Sequence, residues 1–126
     1  MAFDKEVMFR STGNLTEDEA GTFIAIPPGG DMELRIVVPQ IAETNDTILV
    51  TITYSADGTN ASGITTLPTI TKAIVDAGKH EFFWPIETSR GYIKVGFDVT
   101  DADSGSDFNA GVVQAGLVPA GRYTDW

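Results

Sequence analysis

The chain has 126 residues, no cysteine, and eighteen acidic against eight basic residues, a formal charge of -10. The length fits one domain with its own core, and the missing cysteines exclude disulfides and thiolate metal sites. The acidic field repels phosphate backbones and no Lys/Arg cluster offsets it, which argues against nucleic-acid binding and against anionic membrane surfaces.

The start, "MAFDKEVMFR", carries acids where a secretory signal needs a basic region and an apolar run, so a soluble product of the cytoplasm is expected. Its segment "FDKEVMF" reads as a short strand or an extended arm. "NLTEDEAG" is the one candidate helix. Thr16 can cap it with Glu17, Asp18 and Glu19 near its positive end, and a plain loop fits equally well. "GTFIAI", residues 21–26, reads as a strand stopped by Pro27-Pro28-Gly29-Gly30. "MELRIVV" sets Leu34, Ile36 and Val38 on one face against Glu33, Arg35 and Val37.

The strongest alternation is "TILVTITYS", residues 47–55, with Ile48, Val50, Ile52 and Tyr54 on one side. "TLPTITKAIV", residues 66–75, reads as an irregular strand interrupted by Pro68. "HEFFWPI" is a strand in which Pro85 marks an end or a sheet edge. "YIKVGFDVT", residues 92–100, lines up Ile93, Val95, Phe97 and Val99. "GVVQAGLV", residues 111–118, is a small-residue strand before Pro119. Turn chemistry lies between these segments in "PPGGD", "TNDT", "ADGTNASG", "DAGK", "TSRG" and "DADSGSDFNAG".

About eight short strands, with turns roughly every eight to twelve residues, predict an all-β antiparallel sandwich. A jelly roll fits best, and an immunoglobulin-like sandwich is the near alternative. Two packed sheets are expected to set the even-numbered face of 47–55 against the odd-numbered face of 92–100. The whole chain, 1–126, reads as one sandwich domain whose ends, 1–10 and 119–126, are candidate interaction arms.

Candidate chemistry is sparse. His80 is the lone histidine, beside the turn "DAGK", and reads as a rim residue. No serine has a nucleophile-elbow context, and no dinucleotide or P-loop glycine pattern occurs. The chain is therefore read as a non-enzyme without cofactor. Asp98, Asp101, Asp103 and Asp107 resemble a calcium loop in density of carboxylates but not in EF-hand order, so the reading is a solvated loop and no metal. Trp84 reads as a core or subunit-contact residue rather than a sugar platform.

Association is what remains. The ends offer Phe3 and Phe9 on one side and Arg122, Tyr123 and Trp126 on the other, residue types enriched where protein surfaces bury each other. These five are the candidate protein-binding residues. The alternative for the tail is that it folds back on its own domain.

The segments "FDKEVMF", "TILVTITYSADG", "AGKHEFFWPI" and "RGYIKVGFDVT", in that order and spacing, resemble the capsid cement (decoration) proteins of tailed bacteriophages. The resemblance spans roughly residues 3 to 118 and rests on the order of the segments; the tail "AGRYTDW" lies outside it. It implies a jelly-roll structural virion protein, made in the host cytoplasm, that binds the exterior of the head. It also implies a homotrimer that clamps neighbouring subunits of the major capsid protein. The other readings are a carbohydrate-binding jelly-roll module and another virion part of the tail or head-completion type.

Overall fold

The computed structural model describes residues 8–27, 30–101, 108–121 and 125–126. The strands are β1 (Met8–Arg10), β2 (Ile24–Ala25), β3 (Met32–Val37), β4 (Thr47–Ser55), β5 (Ala61–Thr66), β6 (Ile70–Thr71), β7 (Glu81–Pro85), β8 (Tyr92–Thr100) and β9 (Gln114–Pro119). One short helix, α1 (Lys72–Asp76), follows β6, and a 3₁₀ turn covers Thr88–Arg90. The result is the expected all-β sandwich of two antiparallel sheets. One sheet runs β1-β9-β3-β7 and the other β2-β8-β4-β5, with β6 beside β4.

The pairing is nested. β1 pairs β9, β2 pairs β8, β3 pairs β7 and β4 pairs β5. The β3–β9 and β4–β8 ladders then close each sheet. The chain is thus one long folded-back ribbon rolled into two layers, and apart from the β4–β5 hairpin and β6 beside it, neighbours in a sheet are distant in sequence.

The apolar rows point as the alternation predicts, but their mutual arrangement differs. Ile48, Val50 and Ile52 are buried, as are Ile93, Val95 and Phe97. These strands lie side by side in one sheet, with Ile48 opposite Val99, Val50 opposite Phe97 and Ile52 opposite Val95. That register pairs each even residue with an odd one, so the two rows form one continuous apolar face. The layer facing them is β3, β7 and β9, which contribute Leu34, Ile36, Phe82, Ala115 and Leu117 to the same core.

Several boundaries move. The reading of 66–75 as a strand fails after Thr71. The Thr71 hydroxyl accepts from the Ile74 amide at 3.4 Å, Lys72 pairs with Asp76 at 2.7 Å, and Val75 turns into the core. A capped turn with an i,i+4 ion pair therefore replaces extended backbone. The "ADGTNASG" stretch is only partly turn, because β5 begins at Ala61. "NLTEDEAG" is loop: Leu15 is fully buried, its amide donates to the Gly111 carbonyl, and Glu19 bridges Phe97. The last strand starts at Gln114 rather than 111 and includes Pro119. Pro85 both ends β7 and lies on an edge strand.

Candidate interaction surface

The C-terminal tail closes one side of the sandwich. After β9 the Gly121 amide donates to Oε1 of the buried Glu33 at 2.7 Å. Asp125 then adds to the outer edge of β7, exchanging both backbone bonds with Phe83 at 2.9 and 3.1 Å. Lys79 Nζ holds the Asp125 carboxylate at 2.8 Å. Trp126 lies over Phe82, with centroids 5.3 Å apart, and meets Trp84 edge-on at 6.0 Å. Its indole N–H donates to the Pro68 carbonyl at 2.7 Å. Pro68 belongs to the β5–β6 connection, so this one side chain links the open edges of both sheets. The physical cause is simple: Phe82 and Trp84 point between the layers where β7 has no further neighbour, and an aromatic cover removes that apolar surface from water.

The five candidate binding residues do not form one patch among the described residues. Phe9 sits half-buried on β1 and packs against the core, while Trp126 packs beside β7. β1 and β7 are opposite edges of the same sheet. Phe3, Arg122 and Tyr123 lie outside the described residues. Of the two candidate arms, residues 8–10 and 119 are strand, and 125–126 are docked as above.

A second clasp, not anticipated from sequence, holds the β1 edge. Arg10 is buried and grips Glu19 with two bonds of 2.9 and 3.0 Å. It also donates to the carbonyls of Gly13 at 2.7 Å and Val113 at 3.0 Å. The only sequence signal was an arginine at an inward-facing strand position, where a charge needs several acceptors to be tolerated.

The aspartate run divides. Asp98 is exposed on β8 next to Asp18, whose carboxylate accepts from the Val99 amide at 2.8 Å. Repulsion from Asp18, then a hydrogen bond between the two carboxyls, pushes the Asp98 carboxyl above its ordinary range. Asp101 instead joins Glu43 and the buried Asp46, with carboxylate oxygens all within 4.8 Å. These are the described residues best able to hold a hard cation. Each also engages other groups of the chain. Asp103 and Asp107 lie outside the described residues.

His80 is exposed, and its Nδ1–H donates to the Val38 carbonyl at 2.9 Å while its own carbonyl accepts from the Val38 amide at 2.8 Å. The ring stitches the end of β3 to the start of β7. Tyr54 is buried; its hydroxyl accepts from the Glu87 amide at 2.9 Å, and burial pushes its pKa up. The Arg90 guanidinium stacks over its ring at 5.0 Å. These polar groups serve backbone and packing.

No protein-family model matches the chain, and no curated protein sequence matches it significantly.

Proposed function

We propose that this protein is a capsid cement protein: a jelly roll that binds the outside of a tailed-phage head and reinforces contacts between subunits of the major capsid protein. The observation that carries the reading is where the four resembling segments fall. Met8 and Phe9 of "FDKEVMF" lie in β1, "TILVTITYSADG" is β4 with its turn, "AGKHEFFWPI" leads into and forms β7, and "RGYIKVGFDVT" is β8. Their described residues belong mostly to the strands of the two layers rather than to decorations on them. The nested strand pairing supports the jelly roll. The charge of -10 suits a position outside the shell, away from the nucleic acid. Arg10, Lys79, His80 and Arg90 clasp edges and turns, which suits a structural part rather than an enzyme.

The mechanism is area and symmetry. A stable contact needs about 1,000 Å² or more, and a homotrimer repeats its contact with the shell so that modest single affinities combine. The test is immunogold labelling of phage particles from lysates that contain the protein. Label distributed over the whole head is expected. Label confined to the tail or to one vertex refutes the cement role and points to another virion part.

A further inference from the structure

A β-sandwich of two open sheets has four edges, and each edge is a template for pairing with another chain unless something blocks it. Three are blocked here. β1 is three residues long and irregular in register, β2 is two residues long and runs into Pro27, and β7 is covered by Asp125. The fourth, β5, is six residues long, its register against β4 shifts once between Ala61 and Gly63 and is regular over Gly63–Thr66, and the residues from Ala61 to Thr66 contain neither proline nor charge. Its outward-facing residues Ser62, Ile64 and Thr66 are all exposed, and Ile64 is the most exposed large hydrophobic residue described, at 68%. One carbonyl of the strand, that of Ser62, is engaged by Arg90 at 3.1 Å.

The charge pattern says what fits there. No ionisable residue lies between Asp57 and Lys72. The other uncharged stretch of that length, 108–121, is taken up by β9 in the middle of its sheet. A basic partner would be drawn to the acidic surface and gains nothing from an edge whose own strand carries no acid and which the Arg90 guanidinium adjoins. A second copy of this chain, itself at -10, is repelled least where acidic side chains are absent, and Arg90 on the Ser62 carbonyl adds a cation there.

We propose that β5 is a self-association edge: two copies pair β5 to β5, antiparallel about a two-fold axis, and join their sheets into one continuous layer. The geometry is self-consistent. Side chains alternate between faces, so a two-fold axis normal to the sheet allows only registers that match outward residues with outward residues. The two such registers that overlap most of β5 set Ile64 opposite its own copy or opposite Ser62 of the copy. Either way the two Ile64 side chains lie within cross-strand or diagonal reach, about 5–8 Å apart. This two-fold contact is separate from the three-fold contact of the cement reading: it joins two trimers through their edges rather than building one, and it is tested without any capsid.

The chain has no cysteine, so Ile64→Cys introduces the sole thiol. Mild oxidation of the full-length variant should give a covalent dimer on a non-reducing gel. The rate should be on the order of tenfold above that of Val112→Cys, the control at the other exposed large hydrophobic residue. Ile64→Asp, which sets two like charges together, should lower the solution mass by light scattering while leaving the far-ultraviolet circular dichroism unchanged. Crosslinking no faster than the control overturns the proposal. So does a wild-type protein that is a strict monomer, or an Ile64→Asp variant of unchanged mass.

Discussion

Trp126→Ala tests whether the tail is part of the fold. The indole makes two aromatic contacts, with Phe82 at 5.3 Å and Trp84 at 6.0 Å, and one hydrogen bond to the Pro68 carbonyl at 2.7 Å. Aromatic pairs contribute about 0.5–1.5 kcal/mol each and an exposed hydrogen bond about 0.5 kcal/mol. Because the ring is only half-buried and the vacated surface can take water, about 2–3 kcal/mol is expected in total. In a domain of this size that lowers Tm by about 6–12 °C. Trp126→Phe keeps the tilted and edge-on aromatic contacts and loses the indole donor, so it should recover more than half of the loss. Differential scanning calorimetry reads the shift, and the remaining Trp84 reports the transition by fluorescence. Docking within one chain also makes the shift independent of protein concentration, whereas docking on a sister subunit makes it fall away on dilution. A change in Tm below about 2 °C, or one that disappears on dilution, refutes the argument.

Arg10→Met removes the grip on Glu19, Gly13 and Val113; the loss should be about 2–3 kcal/mol, at the lower end for a buried ion pair because Glu19 is partly solvated, measured by urea denaturation. Gly21→Ala should cost about 2 kcal/mol or more, since φ is +75° there and the added methyl meets the Val95 carbonyl; the amides of β2 and of the Glu19 bridge should then exchange faster. Asp98→Asn should raise Tm at pH 7 and have no effect once both carboxyls are protonated. The sign follows from the raised folded pKa: the folded state binds the proton more tightly, so the wild-type pair lowers stability as pH rises through the carboxylate range. Asp57 runs the other way. Bonds from the Asn60 and Thr59 amides, and from the side chains of Asn60 and Ser55, lower its pKa. Its contribution is present above the ordinary carboxylate value and is lost on acidification, and Asp57→Ala should flatten the acid limb of a Tm–pH profile.

The two long strands were legible almost to the residue, because period-two alternation with β-branched residues is a local property of a half-buried strand. β5 was not legible. "ASGITT" has one large apolar residue, and that residue faces solvent, so an edge strand of this kind carries no inward row to announce it. The helix after Thr71 was hidden for a different reason: in "TKAIVD" the apolar pair Ile74–Val75 suits either structure, and the hydroxyl cap and the Lys72–Asp76 pair tipped it. Of the candidate binding residues, composition could name Trp126 as a side chain needing a partner. It could not show that Phe82, Trp84 and Pro68 surround it.

The sequence by itself determined the class of protein: all-β, single-cored, acidic, with its apolar rows assigned to the correct faces. Backbone geometry imposes that alternation residue by residue, so no distant contact is needed to read it. Only the tertiary structure decided which strands are neighbours, that rows 47–55 and 92–100 lie side by side, and where the last tryptophan goes. Those outcomes depend on registers between residues far apart in the chain and on which sheet edges are left to cover. A local pattern is blind to both, because the same alternating strand can pair with any partner whose apolar row meets its own.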